Sequence, residues 1–172
     1  DQSFVQTAAG YYHTVALRAD GSVAAWGLNS TGACNVPPLP PGVTYVQVAA
    51  GGGQSIALRS DGSAVEWGGT SSVPQLPPGL SYVEVSAGGY HFVARRSDGS
   101  LVAWGDNTDG QCNLPALPPG LSYTGVAAGF LHSLAVRSDG SVVAWGFNGN
   151  GECNVPAPPP SLTYVEVAAG GG

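Results

Sequence analysis

The sequence predicts an all-β chain: a β-propeller of four tandem blade-like repeats of 37–41 residues, standing as an incomplete ring or as part of a larger or oligomeric propeller. Three observations carry this expectation. Trp-Gly pairs recur at Trp26, Trp67, Trp104 and Trp145, with spacings of 41, 37 and 41 residues. Asp-Gly pairs at Asp20, Asp61, Asp98 and Asp139 keep the same spacings. Gly 27 and Pro 14 in 172 residues disfavour helices, while 43% apolar content exceeds what a disordered tail carries. No stretch of helical length shows a 3.6-residue period.

Residues 1–172 read as one repeat domain, with units 4–44, 45–81, 82–122 and 123–163 and a fifth partial copy at 164–172. Tyr45, Tyr82, Tyr123 and Tyr164 are spaced 37, 41 and 41, so one shortening lies between Trp67 and Tyr82. There "WGGTSSVPQLPPG" replaces "WGDNTDGQCNLPALPPG", four residues fewer. A loop loses length at small entropic cost. Within a unit the first segment alternates around valines, as in "YVEVSAG" (82–88). The second is "HFVARRS" (91–97) or "HSLAVRS" (132–138), and the third is "SLVAWG" (100–105). Asp-Gly between second and third is a two-residue hairpin signal, since Gly accepts positive φ. "QCNLP" or "ECNVP" is expected as a short fourth strand, ended by the prolines of "LPPGLS".

One such sheet cannot bury both faces, but stacked copies can. Small residues at "VAAG" suit close approach near the axis, and the four tryptophans suit the space between blades. A parallel β-helix has shorter rungs without a hairpin in each. A β-sandwich has no need of one unit four times.

Strand parity assigns loops to faces. The turns at Tyr11-Tyr12, Gly52-Gly53, Gly89-Tyr90 and Phe130-Leu131 fall on the same face as the loops after the Trp-Gly pairs. Those later loops carry Leu28, Asn29, Ser30 and Thr31, then Asp106, Asn107, Thr108 and Asp109, then Phe147, Asn148 and Asn150. Large aromatics where one unit manages with Gly-Gly suit a binding surface with small polar neighbours. Tyr11, Tyr12, Tyr90, Phe130, Leu131, Asn29, Asp106, Asn107, Asp109, Phe147 and Asn148 are therefore the candidate binding face. The competing reading is that the rings plug the end of the ring.

His13, His91 and His132 share one repeat position, which Gln54 fills in the second unit. Equivalent positions spread around an axis rather than converge on one ion, so a structural role, with rings bonded to backbone, is expected and metal is not. Arg18, Arg59, Arg96 and Arg137 precede the turn aspartates by two residues and suggest solvent-facing ion pairs. Arg95 alone departs from that pattern, standing where other units carry Leu17, Leu58 or Val136. Cys34, Cys112 and Cys153 also share one position, and reduced thiols acting as small hydrophobes are expected. "DNTDGQ" (106–111) lacks the twelfth-position Glu and flanking helices of a calcium loop. No P-loop, H-E-x-x-H or dinucleotide fingerprint is present, so no enzyme and no cofactor are expected.

Net charge −6 without a single Lys argues against nucleic acid and anionic membranes as partners. No run of 18 apolar residues exists, and the start at Asp1 without a leader motif suggests a processed or cut N-terminus.

The motif A-G-x-x-H-(S/T)-x-A-(L/V)-R-x-D-G-x-V-x-A-W-G-x-N-x-x-G stands here as "AGYYHTVALRADGSVAAWGLNSTG" (9–32) and "AGFLHSLAVRSDGSVVAWGFNGNG" (128–151). It resembles the bacterial branch of the regulator of chromosome condensation repeats over almost the whole chain. The chain also looks like the secreted propeller-type inhibitors of β-lactamases, which share short units and a Val-Pro segment. Those resemblances imply a propeller, a protein partner met through the aromatic loops, and an extracellular or cell-surface bacterial location. The resembling proteins close rings of seven units, so four units suggest a fragment of a longer propeller, an arc that associates with another copy, or a compact ring. The function expected is a non-enzymatic protein–protein interaction module. Alternatives are a glycan-binding propeller and a structural unit that self-associates through its terminal blades or belongs to a longer chain.

Overall fold

The computed structural model describes residues 3–170. Its strands are β1 (Phe4–Ala9), β2 (His13–Arg18), β3 (Val23–Gly27), β4 (Tyr45–Ala50), β5 (Ser55–Arg59), β6 (Ala64–Trp67), β7 (Tyr82–Ala87), β8 (His91–Arg96), β9 (Leu101–Gly105), β10 (Tyr123–Ala128), β11 (His132–Arg137) and β12 (Val142–Gly146). They form four antiparallel three-stranded sheets, β1-β2-β3, β4-β5-β6, β7-β8-β9 and β10-β11-β12, one for each expected blade.

Two local expectations are corrected. The Asp-Gly hairpin is a three-residue loop rather than a two-residue one. Gly21 N–H donates to the Arg18 carbonyl at 2.9 Å, and Arg18 N–H to the Ser22 carbonyl at 2.8 Å. Gly21 has φ 79°, the left-handed bulge position that favours glycine. The fourth segment forms no strand among the described residues. Its residues close a loop instead: Cys34 N–H donates to Asn29 Oδ1 at 2.8 Å, and Asn29 Nδ2 to Asn35 Oδ1 at 2.8 Å. The prolines that follow have no N–H with which to extend a ladder.

The core lies between sheets rather than within one. Val15, Leu17, Tyr45, Val48, Ala57 and Trp67 fill the first junction. Ile56, Leu58, Tyr82, Val85, Phe92 and Trp104 fill the second, and Val93, Leu101, Tyr123, Val126, Ala135 and Trp145 the third. Trp67, Trp104 and Trp145 are 7–8% exposed, as expected of blade fillers, but Trp26 is 50% exposed. Each buried Trp packs against the preceding unit, whereas Trp26 meets Phe4 of its own unit at 6.3 Å between ring centroids.

Near the axis the inner strands are joined by side chains. A register shift after the first residue of β1, β4, β7 and β10 precedes Gln6, Gln47, Glu84 and Gly125. Gln6 Oε1 accepts from Val48 N–H at 2.9 Å, Gln47 Oε1 from Val85 N–H at 3.0 Å, and Glu84 Oε1 from Val126 N–H at 3.2 Å. Glu84 brings a charge where the others are neutral. Arg95, its register partner on β8, neutralises it with Nε at 2.8 Å from Oε2. Arg95 is thus the one arginine set apart by its place in the repeat, and it makes the one ion pair among the described residues.

Residues 164–170 follow the course of a further inner segment. Tyr164 N–H donates to the Gly140 carbonyl at 3.0 Å, as Tyr45 does to Gly21, and Phe130 N–H donates to the Gly170 carbonyl at 3.1 Å. The inner strands and this segment line a common central cavity of about 450 Å³.

Candidate functional site: the loop face and the junctions beneath it

The first and third loops of each unit do meet on one face. Leu28 N–H donates to the Tyr12 carbonyl at 2.7 Å, Asp106 N–H to Tyr90 at 2.9 Å, and Phe147 N–H to Leu131 at 2.9 Å. On that face Tyr11, Tyr12 and Tyr90 are 48%, 71% and 54% exposed. Phe130 joins them: its ring lies 5.5 Å from Tyr11 and 6.0 Å from Tyr90, and Tyr11 lies 6.2 Å edge-on to Tyr12. Units one, three and four therefore contribute to one aromatic cluster, and the Gly-Gly of unit two leaves room beside it. Burial, with the Tyr90 and Tyr12 phenols as lesser causes, raises the Tyr11 pKa, so that phenol stays uncharged near neutral pH. Phe147 and Leu131 sit apart, lining a recess of about 190 Å³ with Phe130, His132, Asn150 and Glu152.

The polar candidates divide differently. Asn29, Asn107 and Asn148 each clasp their own loop, receiving the N–H of Cys34, Cys112 or Cys153 at 2.8–2.9 Å. Asp106 accepts from Thr108 Oγ1 at 3.0 Å and from Gln111 Nε2 at 2.9 Å, while Asp109 offers its backbone N–H to Gln111 Oε1 at 2.9 Å. Among the described residues no three His, Cys, Asp or Glu side chains gather as metal ligands. The cysteines are free thiols, and burial, reinforced by the Asp106 carboxylate, pushes Cys112 up to about 11.

On the opposite face the expected Arg-Asp pairs do not form among the described residues. The turn aspartates are taken by nearer donors. Asp61 Oδ1 accepts from Ser63 N–H at 2.9 Å and from Ser63 Oγ at 2.7 Å, and Asp98 and Asp139 repeat this with Ser100 and Ser141. These serine bonds lower the carboxyl pKa values, with the arginine charges a lesser cause.

Beneath the loop face His13 and His91 join units through a side chain, not through backbone as expected. His13 Nε2 lies 2.8 Å from Ser55 Oγ, and His91 Nε2 lies 2.8 Å from Ser133 Oγ, each serine in the next unit. Ser55 Oγ donates to the Ala33 carbonyl at 3.0 Å and Ser133 Oγ to the Gln111 carbonyl at 2.9 Å. With its proton committed there, each serine accepts from the imidazole N–H, which fixes the tautomer. The same two carbonyls receive Trp67 Nε1 at 2.7 Å and Trp145 Nε1 at 2.8 Å. Both serines are fully buried, and the proton direction is opposite to that of a serine nucleophile activated by histidine. These dyads are staples between blades. Burial above all, with the nearby His132 charge, lowers the His91 pKa to about 4, against a weaker opposing pull from Asp106.

The second junction lacks this set. Gln54 stands for His and Phe92 for Ser, and Gln54 Nε2 reaches the His91 carbonyl at a long 3.4 Å. The shortened loop offers Trp104 no carbonyl, and Trp104 Nε1 donates instead to Glu66 Oε2 at 2.7 Å. Phe92 stacks on Trp104 at 5.4 Å. Reading the repeat positions singly missed the serines and Glu66. The signal lay in pairs: His is followed by Ser 42 residues on, at 13 and 55 and at 91 and 133, and where His is lost so is Ser.

Comparison with known proteins agrees with this architecture. No match was found among curated protein sequences. Among solved structures, Prp20p of Saccharomyces cerevisiae, described with its binding to Gsp1p and histones, matches at 25% identity and TM-score 0.84, over 97% of this chain and 53% of that one. Human WBSCR16 matches at 20% identity and TM-score 0.78, over 99% of this chain and 56% of that one. The ectodomain of the Physcomitrella patens receptor kinase CR4 matches at 24% identity and TM-score 0.69, over 99% and 46%. The chain spans about half the length of these structures. The regulator of chromosome condensation (RCC1) repeat profile matches residues 4–33, 82–111 and 123–152, more than half of the sequence, and passes over the unit with the shortened loop. By sequence and by fold, the chain belongs to the RCC1 repeat family.

Proposed function

We propose that this chain is a non-enzymatic protein-binding module that meets its partner with the loop face. The exposed cluster of Tyr11, Tyr12, Tyr90 and Phe130 carries the reading. Half-exposed tyrosines held against one another present rigid amphipathic area, the composition that dominates binding hot spots. His13 with Ser55 and His91 with Ser133 are committed between blades. A related propeller, Prp20p, has described binding to Gsp1p and histones, which supports protein recognition as the class of function. The test is affinity capture with the full chain, repeated with Tyr12→Ala and Tyr90→Ala and, on the opposite face, Asp61→Ala. Specific capture lost with the tyrosine variants and kept with Asp61→Ala supports the proposal. Capture indifferent to both tyrosines contradicts it.

A second reading rests on Trp26 and Phe4, each 50% exposed where the other tryptophans pack on a preceding unit. This face is built to receive another repeat unit, from a second copy or from a longer chain. Light scattering over a concentration series would show association by the wild type and its loss in Trp26→Glu. A monomer at all concentrations contradicts self-association.

A further inference from the structure

The shortened loop of unit two leaves an opening wider than the recesses beside the full loops of units one and four. Beside the full loops of units one and four the recesses measure about 230 and 190 Å³. At the second junction the face opens into a cleft of about 630 Å³, with Gln54, Gly69, Ser71, Tyr90, Trp104 and Asp106 in its walls. That volume falls within the roughly 300–1,000 Å³ of small-molecule sites.

The chemistry of the walls selects a ligand class. Ser71 Oγ is buried without a hydrogen-bond partner. A buried polar atom of this kind calls for a partner that the protein does not supply. Gln54 is 6% exposed, and its Oε1 faces Gly69, where an added Cβ would stand 3.1 Å away. A side chain there would crowd the carboxamide. No arginine lines the site and the chain has no lysine, so nothing favours an anion. The Asp106 carboxylate already accepts from Thr108 and Gln111, so it is not a vacant cation ligand. What remains are hydroxyl, carboxamide and backbone groups beside two aromatic rings, one of them the 54%-exposed Tyr90. Such a surface suits a neutral polyol ring, with hydroxyls bonding to Ser71 and Gln54 and its C–H face on the negative face of an aromatic ring.

We infer that the cleft between units two and three binds neutral pyranose units, as a free disaccharide or as the end of a glycan chain. The cleft shares Tyr90 with the aromatic cluster but also needs Ser71 and Gln54, which the cluster does not include, so Ser71→Ala distinguishes the two proposals.

The experiment titrates the full chain with lactose, maltose, cellobiose and chitobiose while following tryptophan fluorescence, with Trp104→Phe to assign the response. A glycan array bearing the same terminal units separates free sugars from chain ends. At least one sugar is expected to shift the Trp104 signal saturably. Ser71→Ala and Tyr90→Ala are each expected to weaken it tenfold or more, and inserting Asp-Asn-Thr-Asp after Gly68 to abolish it. Both point variants are readily checked for folding, so the test stands if the insertion fails to fold. No response to any sugar on panel and array overturns the inference. So does a response unchanged in Ser71→Ala and Tyr90→Ala, or a lysine-rich peptide that fills the cleft when no sugar does.

Discussion

The first and third junctions and the second solve one packing problem in two ways. At the outer two, a loop carbonyl takes a serine hydroxyl and an indole N–H together, and a histidine of the preceding unit locks the serine. At the second, four residues are missing from the loop, and the carbonyl is missing from its place. The polar chain then has no terminus: a serine there would have no acceptor, and a histidine no serine. Phe92, Gln54 and Glu66 replace that chain with an aromatic stack, a longer amide contact and a carboxylate for the orphaned indole. A loop length, which costs little by itself, thus accompanies three changed side chains in the units beneath it.

This contrast can be broken most strongly at Phe92, whose ring is fully buried. Phe92→Ala removes the stack on Trp104 and is expected to cost about 3–5 kcal/mol in urea unfolding, and Phe92→Ser no less, since the hydroxyl has no acceptor. A loss of well under 1 kcal/mol would show that the apolar stack does not replace the staple.

Acid separates the junctions next. His91 is neutral when folded, its pKa held by burial at about 4 against an ordinary 6.5. The unfolded chain therefore binds the extra proton between those values. Stability is complete above about pH 6.5 and falls as pH drops toward 4, by up to ~1.4 kcal/mol per pH unit for one group. His13 and His132, lowered by burial, act in the same direction. The turn aspartates, whose pKa values lie below the ordinary 3.8, add a further loss only in stronger acid. His91→Gln, the residue unit two already uses, is expected to flatten the slope between pH 4 and 6.5. An unaltered slope in thermal melts across that window would remove His91 from the account.

Glu66 offers a finer probe. Glu66→Ala strands the buried Trp104 N–H and is expected to cost about 1–3 kcal/mol, although the matching residue of unit three, Ala103, is already alanine. A neutral result by urea denaturation would mean that the indole finds another partner. At the exposed end of the scale, Tyr12→Ala is expected to change stability by less than about 0.5 kcal/mol, leaving binding as its readout. A larger loss would make that ring a structural plug.

Much of the fold was legible because period, hairpin glycines and tryptophans are local features repeated in register. That the first and third loops share one face was legible too, since strand parity needs no coordinates, but not that Phe147 and Leu131 sit apart from Tyr11, Tyr12, Tyr90 and Phe130. The staples were not, because the partners sit 42 residues apart and each alone looks like an ordinary strand residue. The Arg-Asp pairing failed for a local reason: Ser63, two residues from Asp61, reaches the carboxylate at less entropic cost than an arginine side chain. Trp26 misled because its repeat position implies a neighbour, and burial depends on that neighbour rather than on the residue. Arg95 could be noticed as an exception, but its purpose became plain only when the register placed Glu84 opposite.

The most direct test of the central claim is a double-mutant cycle on His91 and Ser133, using His91→Gln, Ser133→Ala and the pair in urea unfolding near neutral pH. The bond of 2.8 Å in a fully buried site predicts a coupling of about 1 kcal/mol or more, whereas Gln54→Ala with Phe92→Ala should couple by less than about 0.5 kcal/mol. Additive losses at His91 and Ser133 would contradict the account, because the staple between blades would then contribute nothing as a pair.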